Sequence, residues 1–282
     1  MPKRAKGRQY PLEISAVAWV DLLGYGTMLR SVGFNPGHKT AQAAVDRLQA
    51  FQQAAASHTM RHLRAMIVND GAAYVRELSP RSRSVTFDFI QRVFEVLKHI
   101  NLLDEGAGYP GARMVVAVGP RLRMPGSTRF NEEHLKSLLN RVKTKTISVQ
   151  QAMLEAFHSS PLAGSAVPLQ ANFAFTKAYL ADQAGRKAGL AGPKFFIERT
   201  FFKEIPLWLS HRKSIDWSTE GLSASFLEVE SIDGAKAGKE QYRELRDAEE
   251  IAVAMGIDYP AKIKMSYRAR AAAVKKTSRS RR

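Results

Sequence analysis

Apolar residues run almost unbroken from Ile14 to Val20 and stop at Asp21. A β-prone run without alternation predicts a strand buried on both faces. Gly24, Gly26 and then "NPGHKT" (35–40) predict a loop. Val45, Leu48 and Phe51 fall at helical spacing and predict a helix over 41–57. In "HLRAMIVNDGAAYVREL" (62–78) two β-prone runs flank Asn69-Asp70-Gly71, the turn chemistry of a tight hairpin. Phe87, Ile90, Phe94 and Leu97 form an apolar helical stripe reaching about residue 101, and "ARMVVAVGP" (112–120) reads as another buried strand, ended by Gly119 and Pro120.

Strand, helix, hairpin, helix, strand is the order of a split βαβ unit, so the expected fold is α+β and ferredoxin-like, with helices packed on a sheet. Beyond it, helices are predicted over 131–142, 147–158 and 169–185, and strands at 194–199, 206–211 and 223–232. A charged helix over about 239–255 follows. No internal repeat or low-complexity linker interrupts the pattern. The expected organisation is therefore a basic tail (1–10), one elaborated domain (11–257) with a helical insertion at about 121–168, and a second basic tail (258–282).

Composition narrows the chemistry. The 282 residues are 45% hydrophobic and 24% charged, as in ordinary globular proteins, and include no cysteine, which removes disulfides, thiolate metal sites and cysteine nucleophiles. Glu13 and Asp21 interrupt the one N-terminal stretch that imitates a secretion signal, and no segment approaches a membrane span, so a cytoplasmic protein is expected. The formal net charge is +17, but residues 1–8 and 259–282 carry 13 basic residues and no acid, leaving only +4 for the remainder. Such tails either make weak, salt-dependent contacts with nucleic acid or simply solubilise the chain.

The candidate chemistry lies in two aspartates. In the expected sheet the end of the first strand and the tip of the hairpin share an edge, which brings Asp21 and Asp70 together. Each alone has a plain reading as a polar residue at a strand end or in a turn. Together they repel unless a cation lies between them. Hard carboxylate oxygens suit Mg²⁺ or Mn²⁺, which commonly arrive with a polyphosphate, and the glycines after Asp21 allow backbone N–H groups to approach phosphate oxygens.

"AWVDLLGYG" resembles the first-strand motif of the class III nucleotide cyclases, an aspartate followed by two apolar residues and a glycine. "IVNDGAAYV" is similar to their second motif, and "ARMVVAVGP" to the strand that follows. With "QANFAFTKAYLADQAGRKAGLAGPKFFIE", the combination most resembles the pyrimidine cyclases of Pycsar anti-phage systems, which make cyclic UMP or cyclic CMP to activate an effector. The resemblance covers roughly residues 14–200.

It implies a cytoplasmic homodimer with composite sites, acting on UTP or CTP. Asp21, Asp70 and the backbone carbonyl of Leu22 would hold two divalent ions, Mn²⁺ or Mg²⁺. Gly24, Tyr25, Arg64 and Met66 would contact the substrate, and the partner protomer would supply transition-state contacts from the helix near 172. There Asn172 matches the family's asparagine. The arginine expected four residues on is replaced by Thr176, with Lys177 as the nearest base. Adenylate cyclases place a lysine four residues before the second aspartate, and guanylate cyclases a glutamate; here Met66 occupies that position. Arg64 shares its strand parity, as a base or ribose contact or as an ordinary exposed arginine.

Two alternatives stay open: a class III cyclase acting on ATP, and a non-catalytic protein binding nucleic acid through its basic tails. Other signals fall away. His58 and His62 have the spacing of a helical metal pair but no accompanying glutamate, and no serine sits in a G-x-S-x-G setting. "GLAGPK" (189–194) lacks dinucleotide-binding spacing, and Trp19, Trp208 and Trp217 read as core or interface residues.

Overall fold

The apolar run at the start of the chain becomes strand β1 (Leu12–Leu22) of a seven-stranded sheet in a computed structural model, which describes residues 10–60, 62–123, 129–158, 167–236 and 242–257. Helices α1 (Tyr25–Ser31) and α2 (Lys39–Ser57) follow, then the hairpin β2 (Arg64–Val68) and β3 (Gly71–Glu77), helix α3 (Arg83–Gly106) and strand β4 (Ala112–Leu122). The four strands stand in the order β2-β3-β1-β4, the split βαβ arrangement expected from the sequence. After helices α4 (Arg129–Lys143), α5 (Val149–His158) and α6 (Phe173–Ala184), strand β5 (Phe195–Glu198) pairs parallel to β4. The hairpin of β6 (Leu209–Thr219) and β7 (Leu222–Ile232) completes the sheet, and the short helix α7 (Ala248–Ala254) follows.

Alternation along β1 divides its residues between the two faces of the sheet. Ala16, Ala18, Val20 and Leu22 join the main core with Phe51 of α2 and Ile90, Val93, Phe94 and Leu97 of α3. Ser15, Val17, Trp19 and Asp21 point to the other face, where α6 lies. That helix seats closely because its inner positions are small: Ala174, Ala178 and Ala181 are all fully buried. Gly119 on β4 completes the fit, since a Cβ there would stand 3.0 Å from the backbone nitrogen of Ala174. On the core side Arg47 of α2 donates through Nε to both carboxylate oxygens of Asp104 on α3, at 3.1 and 3.2 Å. Its Nη2 reaches the carbonyl of Gly111, which also accepts the N–H of Leu23 at 2.9 Å.

Three elements depart from the sequence expectation. The loop expected after Asp21 contains helix α1: Gly24 turns the chain at φ +77°, and its carbonyl accepts from the N–H groups of Thr27 and Met28. The strand expected at 206–211 runs instead over β6, an edge strand whose polar residues face solvent while Ile215 and Trp217 are buried. Of the charged helix expected over 239–255, part lies outside the described residues, and among the described ones an α-helix forms at α7, closed at its start by a capping box between Asp247 and Glu250.

The described residues divide into two compact units, one within 12–121 and 172–257, the other within 10–11 and 122–171. The smaller one contains α4 and α5, joined by a bidentate Arg141–Glu155 pair at 2.6 and 3.0 Å. Among the described residues no helix is long and apolar enough to cross a membrane. Residues 1–9 and 258–282, and the nucleic-acid contact considered for these tails, lie outside the described residues.

Candidate active site

Strand β1 pairs antiparallel with β3 so that Asp21 stands opposite Gly71, and the N–H of Leu22 donates to the main-chain oxygen of Asp70 at 2.9 Å. The two aspartates, far apart in the chain, are thus neighbours at one end of the sheet. The hairpin reverses through Asn69, which adopts φ +53°, a conformation asparagine tolerates better than most residues. The Asn69 side-chain amide donates to Asp70 Oδ1 at 2.8 Å and steadies that carboxylate.

A third carboxylate lies on the same face. Asp182 of α6 is buried and held by Arg113 of β4, whose Nε donates at 2.6 Å, and by the Trp19 indole N–H at 3.3 Å. Burial, then the negative charges of Asp182 and Asp70, raise the pKa of Asp21 to about 7, with Arg113 pulling against them. Burial likewise pushes Asp182 upward against its bonds to Arg113 and Trp19. Two carboxylates and a third against one guanidinium leave this end of the sheet short of positive charge.

That donor set fits a hard divalent cation: Asp21 and Asp70 can supply carboxylate oxygens, and Leu22, next after Asp21, is bonded through its N–H to the main chain of Asp70. Among the described residues no three His, Asp or Glu side chains are grouped to share one ion. Asp182 is committed to Arg113 and Trp19. Two protein carboxylates leave most of a six-coordinate shell to other oxygens, the usual arrangement where Mg²⁺ arrives with phosphate.

Met66 and Arg64 lie on the face of Asp21, because Met66 pairs with Ala73 and Ala73 with Trp19, while Arg64 pairs with Val75 and Val75 with Val17. Arg64 is exposed and Met66 half-buried. Gly24 is exposed at the start of α1, beside the Asp21 strand end.

Three of the expected residues are already engaged within the fold. Tyr25 packs in the main core, only 7% exposed, and burial together with the nearby charge of Asp70 raises the pKa of its hydroxyl. Asn172 caps α6: its buried Oδ1 accepts from the N–H groups of Ala174 and Phe175 and from the Ser15 hydroxyl. Lys177 is buried, with Nζ 2.7 Å from Glu198 Oε1 and 3.0 Å from the Val118 carbonyl. Asn172 and Lys177 are thus both hydrogen-bonded within their own protomer. Two residues that face the aspartates, Arg113 and Asp182, were not singled out from the sequence. The available signal was an arginine inside the otherwise apolar "ARMVVAVGP", which demands a buried partner. The histidine pair also differs: His58 Nε2 lies 3.0 Å from His99 Nδ1, and His62 is exposed.

The raised Asp21 pKa has a measurable consequence. With divalent ions chelated, the folded protein holds a proton on Asp21 that the unfolded chain has released, so the contribution of Asp21 to stability is full below about pH 4 and is lost as pH rises toward about 7. Asp21→Asn is expected to remove this slope and to stabilise the chelated protein at pH 8 by about 1–3 kcal/mol. Thermal unfolding across pH 4–8 in EDTA checks it; a variant no more stable than the parent at pH 8 contradicts it.

No family model matches the chain, and no curated protein does. Solved structures it is similar to include nucleotide cyclases. The guanylyl cyclase Cya2 is 11% identical, with 85% of this chain and all of that one covered, at a TM-score of 0.48. The guanylate cyclase domain of RhGC from Catenaria anguillulae, in complex with GTP, is 10% identical, covering 78% of this chain and 97% of that one, at a TM-score of 0.37. The catalytic core of a rhodopsin-guanylyl cyclase with converted specificity, in complex with ATPalphaS, is 9% identical, covering 79% and 97%, at a TM-score of 0.40.

Proposed function

We propose that this protein is a metal-dependent pyrimidine nucleotide cyclase that converts UTP or CTP to the 3′,5′-cyclic monophosphate and pyrophosphate. The observation that carries this reading is the apposition of Asp21 and Asp70 at one end of the sheet, where the N–H of Leu22 bonds the main chain of Asp70. Asp21, Asp70 and the Leu22 carbonyl would hold the two divalent ions. When bound, these neutralise the triphosphate and lower the pKa of the ribose 3′-hydroxyl. The chain's own part is to place the nucleotide so that this hydroxyl faces the α-phosphorus in line with the leaving pyrophosphate. Gly24, with no side chain, gives the phosphates access to the backbone beside Asp21.

Met66 supports the pyrimidine assignment. Its thioether offers no hydrogen-bond donor to a purine edge, and Arg64, exposed on the same face, carries donors suited to a carbonyl oxygen of the base or to the ribose. A homodimer agrees with the surface of α6, where Phe173, Tyr179 and Leu180 are 47%, 39% and 38% exposed. The product acts as a messenger for an anti-phage effector, in keeping with the family that the motifs resemble.

Incubating purified protein with each of the four ribonucleoside triphosphates and Mn²⁺ tests the reading. Cyclic UMP or cyclic CMP is expected to exceed cyclic AMP and cyclic GMP at least about tenfold, the discrimination one lost purine contact provides. Dominant cyclic AMP would instead assign an ATP-specific cyclase. UTP and CTP both left intact would remove the pyrimidine reading.

A further inference from the structure

We infer that Trp19 is a positioning residue, wedged between α6 and the β2–β3 turn so that it holds Asp70 in register with Asp21; this rests on the two aspartates forming the metal-dependent site. On one side the indole is fixed by α6. Its N–H donates to Asp182 Oδ2 at 3.3 Å, and its ring meets Phe175 and Tyr179 edge to face, with centroids at 5.9 and 5.4 Å. Asp182 is itself locked, because Arg113 grips its carboxylate at 2.6 Å and its main-chain oxygen at 2.8 Å while donating to the Leu190 carbonyl at 2.9 Å.

On the other side the far edge of the ring lies against Gly71. A Cβ built there would stand 2.4 Å from both Cη2 and Cζ2 of Trp19, a distance real Cβ atoms essentially never show. Gly71 is not among the glycines with positive φ, so the indole, and not the backbone conformation, is what excludes a side chain at that position. Gly71 follows Asp70 directly and stands opposite Asp21, so the packing of the indole on its Cα sets the separation of the two carboxylates. A shell of hard ligands tolerates little error in that separation. Tyr179, 39% exposed, makes the strut continuous with the outer surface of α6, so a load on that helix reaches the aspartates through one side chain.

The experiment measures Mn²⁺ binding by calorimetry, and Mn²⁺ dependence of turnover, in the full chain and three variants. Gly71→Ala is expected to weaken Mn²⁺ binding about tenfold or more, as loss of an outer support typically does. Trp19→Phe shortens the ring and vacates the space over residue 71. The double variant Trp19→Phe/Gly71→Ala is therefore expected to bind Mn²⁺ within about threefold of Trp19→Phe alone, a non-additive rescue that independent structural damage would not produce. Trp19→Phe itself should raise the Mn²⁺ needed for half-maximal turnover while keeping kcat at saturating Mn²⁺; this variant carries the test if Gly71→Ala does not fold. Gly71→Ala binding Mn²⁺ like the parent, no rescue in the double variant, or an unchanged Mn²⁺ requirement in Trp19→Phe would each overturn the proposal. A parent that binds Mn²⁺ but cyclises no nucleotide would defeat the functional reading, while the binding series still decides the role of Trp19. A parent that binds no Mn²⁺ defeats both.

Discussion

Asp70→Asn is expected to reduce cyclic-nucleotide formation by about 10³-fold or more, equivalent to about 4 kcal/mol of transition-state stabilisation, while leaving the fold intact. Stability is preserved because the backbone contacts of the turn do not involve the carboxylate: the bond from Leu22 ends on the main-chain oxygen of Asp70. The one side-chain bond, from Asn69 Nδ2 to Asp70 Oδ1, is one that an asparagine oxygen can still accept. What disappears is one of the two carboxylates proposed to hold the ions and, with it, a full negative charge. Turnover under saturating nucleotide and Mn²⁺, with unfolding temperature measured alongside, checks the expectation. Full activity in a folded Asp70→Asn protein removes Asp70 from the site.

The two aspartates were legible because each ends a strongly patterned segment. Asp21 stops an apolar run and Asp70 sits in a turn dipeptide, and the element order alone implies their shared edge. The mixed α+β fold was legible for the same reason. What escaped is what depends on side chains meeting across long separations. Arg113 and Asp182 are 69 positions apart, and nothing local in "YLADQAG" marks its aspartate as buried. Gly71 was read as part of the turn, but it is the first residue of β3 and is small because Trp19 covers it. Helix α1 has only seven residues, too few to show a period. Asn172 illustrates a different ambiguity. Asparagine before "FAF" satisfies both a catalytic motif and the preference for a helix N-cap, and its side chain serves as the cap.

Lys177 marks the largest difference between motif and structure, and a large effect is expected from removing it. Lys177→Ala leaves Glu198, only 2% exposed, without its cation and is expected to destabilise the protein by about 3–5 kcal/mol. The buried carboxylate would keep two donors, the Val118 N–H at 3.0 Å and the Thr200 hydroxyl at 2.9 Å, which do not neutralise its charge. The double variant Lys177→Met/Glu198→Gln removes both charges, keeps the volume, leaves an amide oxygen to accept from the Val118 N–H and turns the amide NH2 toward the Thr200 hydroxyl, which can rotate to accept it. It should recover most of the lost stability, since an ion pair replaced as a unit costs little. Chemical denaturation of the parent, the single variant and the double variant measures this. Turnover separates the two roles Lys177 was assigned. If its function is to hold α6 on β5 through Glu198, cyclase activity returns with stability in the double variant. A double variant as stable as the parent yet without turnover would mean that the ammonium acts on the nucleotide, and that α6 must release it from Glu198 to do so.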